Sequence, residues 1–226
     1  MYSSTVYPTA GEVNQAMGRV YAYMGLATLV SMLVSWFVGS DPALMQFFFT
    51  GWMMWVTILA PLAAIFLVIP MIGSNPPKAV ALAVLCGFAA LMGLSLSTVF
   101  AVYVMSSIVS AFAGAAVLFG VMAFYGYFTK RDLDSVGKWA FIALIAIIIV
   151  SLINLFVGST VMQMAISAIA VLVFMALTAY DVQTIRDQVM SGASDNSVEV
   201  MGALTLYLDF INLFINLLQL FGVKKD

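Results

Sequence analysis

Charge is missing from this chain over distances that no soluble fold tolerates. Residues 79–129 form a run of 51 without a single Asp, Glu, Lys or Arg, and residues 139–180 form another of 42. Only 8% of the 226 residues are charged and 64% are hydrophobic, where a soluble domain carries roughly 25% charge. Too few polar groups exist to cover a globular surface, so the surrounding solvent must be largely lipid. A spanning helix needs about 20 apolar residues, and on that basis the charge-free runs predict an all-α integral membrane protein, a bundle of seven transmembrane helices.

The spans are expected at Val20–Ser40, within Pro42–Pro77 (centred on Trp52–Met71 and ended by Pro76-Pro77), at Ala79–Tyr103, at Ile108–Phe128, on either side of a break at Gly158-Ser159-Thr160 in Trp139–Tyr180, and at Gly202–Gly222. The fourth span is separated from the third near Ser106-Ser107. Residues 1–18 read as a polar N-terminal tail and 19–226 as one membrane domain. The tail lacks the basic-then-apolar order of a secretory signal, so the first apolar segment is expected to be retained as a span.

Lysine and arginine set the expected orientation. With the N-terminus cytoplasmic, Arg19, Lys78, Lys130, Arg131, Lys138 and Arg186 fall inside, while the outer loops near 40–51, 104–107 and 157–160 carry no basic residue. Lys224 and Lys225 fall outside against the rule, yet the last segment is 21 residues long and is expected to cross. The glycines of the third span (Gly87, Gly93) and fourth (Gly114, Gly120, Gly126) mark expected close helix approaches. In the loop 129–137, Asp134 or Ser135 is expected to cap the fifth helix.

Composition narrows the chemistry. Histidine is absent, which removes the common zinc, haem and Ser–His arrangements. The one cysteine, Cys86, allows no intrachain disulfide and reads as a packing group. Eight basic and ten acidic side chains are too few for a nucleic-acid partner. Two carboxylates stand out by place: Asp181 at the expected cytoplasmic end of the sixth span, and Asp209, seven residues into the last. Asp209 then lies roughly 10 Å along its helix, where a carboxylate must be paired, hydrated or protonated. Asn212, Asn216 and Gln219 follow it at intervals of 3, 4 and 3 residues and share its face. That face serves either a site or interhelical hydrogen bonding. Asp181 is alternatively a solvated residue beside Arg186. If the two carboxylates meet, like charges disfavour double ionisation and the pair shares one proton. Deprotonated, its oxygens suit Ca²⁺ over softer metals, so Asp181 and Asp209 would be both proton sensor and cation ligands.

At these residues the sequence resembles the Bax inhibitor-1 family. The likeness rests on Gly202-Ala-Leu-Thr-Leu-Tyr-Leu-Asp-Phe-Ile-Asn-Leu-Phe214, on Thr178-Ala-Tyr-Asp-Val-Gln183 and on Tyr127-Phe-Thr-Lys-Arg-Asp-Leu133, with a weaker match at Arg19-Val-Tyr-Ala-Tyr-Met-Gly-Leu26. It implies seven helices and a pH-sensitive calcium leak governed by an aspartate pair, which maps to Asp181 and Asp209. For some bacterial members it also implies contact with a membrane protease, and a bacterial inner membrane as location. Part of the family pairs its aspartates with an arginine in the second helix. The span Trp52–Met71 holds no basic residue, so the leak rate or pH set-point is expected to differ here. Neither an enzyme nor a cofactor is expected, Ca²⁺ being cargo. Two other functions compete with the leak: a non-transporting regulator of another membrane protein, and an intramembrane aspartyl protease. Tyr180-Asp181 fits the first protease motif, but Leu206-Tyr-Leu before Asp209 breaks the Gly-x-Gly-Asp that the second requires.

Overall fold

The computed structural model describes residues 8–192 and 196–225. The first seven residues of the expected polar tail lie outside that range. Nine helices are described: α1 (Ala10–Gly39), α2 (Pro42–Phe49), α3 (Trp52–Gly73), α4 (Lys78–Leu96), α5 (Thr98–Val102), α6 (Met105–Phe128), α7 (Asp134–Val157), α8 (Thr160–Met190) and α9 (Asn196–Phe221). Seven segments, with α4 and α5 counted as one, are long and apolar enough to cross a bilayer. The protein is therefore an all-α, multi-pass membrane protein. Side chains such as Phe66 (79% exposed) and Phe156 (89%) would be an aggregation hazard in water and belong against lipid.

The chain divides into two compact units, Met1–Ala101 with Thr184–Tyr207, and Val102–Gln183 with Leu208–Asp226. Helices α8 and α9 each contribute to both. In the first unit, α4 packs against α1 and α3. Gly93 makes the α1 approach possible, because a Cβ there would stand 2.5 Å from the Ser31 carbonyl oxygen. Ser31 Oγ donates to the Ala89 carbonyl at 2.6 Å and lies 2.6 Å from the Tyr207 hydroxyl. Since its one hydrogen goes to Ala89, Tyr207 is the donor in the second bond. This buried chain ties α9 to α1 and α4.

The starts of the first and last helices differ from the sequence expectation, for one reason. Helix α1 begins ten residues before Val20, capped by Thr9 and Glu12 in a reciprocal capping box. Helix α9 begins at Asn196 rather than Gly202. A charge-free run stops at Arg19 and another at Glu199, but both residues are inside the helices and neutralise each other. Arg19 Nε donates to both Glu199 oxygens at 2.9 Å, and the glutamate is only 5% exposed. Arg19→Met leaves that carboxylate buried without a counter-charge. We expect a loss of about 3 kcal/mol, read as a lower melting temperature in detergent. A melting temperature equal to wild type would show that Glu199 finds water.

The second unit holds α6, α7, the first part of α8 and the last part of α9. Phe112 and Phe119 of α6 meet Phe210 edge-on, with ring centroids 5.2 and 5.9 Å apart. The break between α5 and α6 falls at Tyr103-Val104 instead of Ser106-Ser107. There the chain end runs antiparallel to it: Val104 N–H donates to the Val223 carbonyl and Lys225 N–H to the Val102 carbonyl, at 3.1 and 2.8 Å. Ser107 is helical, and its Oγ accepts from Val223 N–H at 2.9 Å. The break between α7 and α8 lies where expected, with Gly158 left-handed at φ 68°. Residues 42–49, expected as an outer loop, are helical because Asp41 caps them and Pro42 takes the first turn.

Candidate functional site

The second unit brings Asp181 and Asp209 together. Asp181 does not end its helix: α8 runs nine residues further, to Met190, and Arg186 pairs with its neighbour Asp187 at 2.8 Å. Asp209 lies 13 residues into α9, about 20 Å along the axis rather than 10 Å. It is 4% exposed. The two side chains are within hydrogen-bonding reach of each other, and Thr178 lies beside Asp209 as well.

The supply of donors defines this site. Thr178, one turn before Asp181 on α8, gives its hydroxyl hydrogen to the Phe174 carbonyl at 2.7 Å. It can serve Asp209 only by releasing that carbonyl. Asp209 Oδ2 is buried with no hydrogen-bond partner among the described residues. A carboxylate is acceptor-only, and leaving such a group unserved costs about 1–3 kcal/mol or more. Two carboxyl groups in contact relieve this when one carries a proton and donates it to the other.

Close packing on two sides holds α8 at this depth, against its backbone at Gly126 and against a side chain at Gly137. A Cβ on Gly126 of α6 would collide with the Ala179 carbonyl oxygen, and one on Gly137 of α7 would stand 2.5 Å from the Tyr180 ring. These contacts hold the two residues that precede Asp181. Gly126 was legible in the sequence; Gly137 was hidden within a polar loop. Gly114 makes only an ordinary contact, and Gly87 and Gly120 face open space, so they are not close-approach positions.

Gln183, two residues beyond Asp181, binds the loop before α7. Its Oε1 accepts from Leu133 N–H and its Nε2 donates to the Arg131 carbonyl, each at 2.8 Å. This replaces the expected cap. Leu133 is the N-cap, Asp134 lies in the first turn, and Asp132 Oδ1 accepts from Asp134 N–H at 2.8 Å. Gln183 stands in the Thr178–Gln183 motif, but only the folded loop reveals its partners.

The polar face of α9 divides by function. Gln219 Oε1 accepts from Gln163 Nε2 at 2.8 Å and Ser167 Oγ at 2.7 Å, which joins α9 to α8. Asn212 and Asn216 instead donate to their own helix, to the carbonyls of Leu208 and Asn212, at 2.8 Å each. No group of three His, Cys, Asp or Glu side chains suited to a metal occurs among the described residues. A cation here would have to use the aspartate pair with amide or backbone oxygens.

The sequence model of the family described as "Inhibitor of apoptosis-promoting Bax1" matches residues 13–226. The chain is 37% identical to the inner membrane protein YbhL of Escherichia coli, over 98% of this chain and 97% of the relative. It is 36% identical to a Deinococcus radiodurans protein over 98% of this chain and 96% of the other, and 36% identical to a Streptococcus pyogenes membrane protein over 93% of each. A match spanning nearly the whole of each chain, with the Asp181 and Asp209 motifs inside it, places this protein in the Bax inhibitor-1 family.

Proposed function

We propose that this protein is a proton-regulated calcium leak of a bacterial inner membrane, in which Asp181 and Asp209 form both sensor and gate. The observation that carries the proposal is the contact between these carboxyl groups with Asp209 Oδ2 buried and unpartnered. One shared proton makes the pair a closed hydrogen bond of net charge −1. Its loss leaves two carboxylates that repel and present oxygens to a hard cation. Calcium flux therefore rises as pH rises. No basic residue occurs in α3, so no arginine from that helix can clamp the deprotonated pair. The inner-membrane location follows the name of the E. coli relative, and a cytoplasmic N-terminus follows the distribution of basic residues.

The test uses purified protein in liposomes loaded with a calcium dye. Influx should be faster at mildly alkaline than at mildly acidic pH, by up to about tenfold per unit where one proton controls it. A flux that does not change with pH would remove the sensor. No flux from folded protein at any pH would remove the leak, and favour a regulator that acts by binding another membrane protein.

A further inference from the structure

Asn212 and Asn216 follow Asp209 along one face of α9, and their own hydrogen bonds determine which amide atom is left over. Each sends Nδ2 to the carbonyl four residues back, at 2.8 Å. That carbonyl can only accept, so nitrogen must be the atom facing it, and the amide orientation follows from chemistry. Each Oδ1 is thereby turned away from its own backbone along a half-buried face. Residues serving as interhelical glue would donate across to a neighbour, as Gln163 and Ser167 do toward Gln219. The asparagines instead donate within α9. The donated hydrogen bond also polarises the amide and makes its oxygen a better ligand. With the unpartnered Oδ2 of Asp209, three oxygen acceptors stand in sequence, separated by about 4.5 and 6 Å of helix rise.

We infer that Asn212 and Asn216 are cation-coordinating residues, two neutral oxygen stations that carry a hard divalent cation between the aspartate pair and the C-terminal end of α9. The inference rests on the calcium-leak reading and extends it from a gate to a path. Hard cations accept amide oxygens readily. Neutral stations next to a charged one suit transit, since an ion must be bound strongly enough to enter and weakly enough to leave. Gln219 does not join the row, because its oxygen already accepts two hydrogen bonds.

The test compares wild type with Asn212→Leu, Asn216→Leu and Asn212→Asp in dye-loaded liposomes at alkaline pH, with Ca²⁺ and K⁺ fluxes measured side by side. Leucine keeps the volume and removes the oxygen, so each Leu variant should lose about tenfold of the Ca²⁺ flux. Aspartate keeps an oxygen and adds charge, so it should raise the Ca²⁺ to K⁺ flux ratio above wild type. Leu variants that leak at the wild-type rate, or an Asp variant with an unmoved ratio, would overturn the inference while the leak reading stands. A wild type that passes no Ca²⁺ would overturn both. Melting temperatures in detergent separate lost ligation from misfolding: a Leu variant that melts with wild type and has lost flux supports ligation. If the Leu variants unfold, the ratio measured with Asn212→Asp decides.

Discussion

Asp209→Asn should abolish the pH dependence of calcium flux, lower the flux at alkaline pH at least about tenfold, and make the protein harder to melt at alkaline pH. The functional loss follows from removing one of two titrating groups: an amide neither takes nor releases the shared proton, and the remaining carboxylate alone is a weaker cation ligand. The stability gain belongs to alkaline pH, where the shared proton is lost and an acceptor is left unserved. Asp209 Oδ2 is buried with no partner among the described residues, and an Asn at that position offers N–H donors directly to Asp181. Relief of an unsatisfied buried group is worth about 1–3 kcal/mol. Asp181→Asn should lose the pH dependence equally, because the proton belongs to the pair. Its stability gain should be smaller, since Asp181 is only half-buried. Influx across a pH series and melting in detergent, on the same preparations, check both parts. Asp209→Asn with an unchanged pH profile would assign the sensing to another group. A lowered melting temperature would show that Asp209 is stabilised by a donor such as Thr178.

Much of this architecture was legible because lipid imposes a coarse code. Charge-free runs gave seven spans, and a carboxylate inside one of them identified Asp209 as the residue needing an explanation. Charges were less useful as boundary markers. Arg19 and Glu199 lie 180 positions apart in sequence and neutralise each other inside their helices, a fact available only once the fold brings them together. The same limit applied to the polar face of α9. Spacing placed Asp209, Asn212, Asn216 and Gln219 on one side but could not say which way each amide turns. Gln219 became a clasp because Gln163 and Ser167 lie opposite it, while Asn212 and Asn216 bond to their own helix and keep an oxygen free. The roles of Gln183 and Gly137 are not legible in the sequence, because they depend on residues 131–137 folding against α8.

Gly126→Ala is expected to be the most damaging small substitution in the second unit, and its effect tests whether packing alone sets the position of Asp181. The added methyl would collide with the Ala179 carbonyl oxygen and stand 2.9 Å from that residue's Cα. Neither is the flexible end of a side chain, so α8 itself must shift away from α6. Overpacking of this kind costs about 1–3 kcal/mol, which corresponds to a melting temperature lower by roughly 2–12 °C in a chain of this length. Gly120→Ala is the control, on the same helix with nothing within 4 Å of the new atom; it should melt with wild type or slightly above, as alanine is the better helix former. Because Ala179 lies two residues before Asp181, the displaced segment carries one partner of the carboxylate pair with it. Gly126→Ala should therefore shift the midpoint of the pH–flux curve as well as lowering stability, whereas a mutation that merely loosens the fold would lower both limbs of that curve in proportion. A lowered melting temperature with an unmoved midpoint would mean that the pair tolerates displacement of α8, and that the contact between the two carboxyl groups is held from the α9 side.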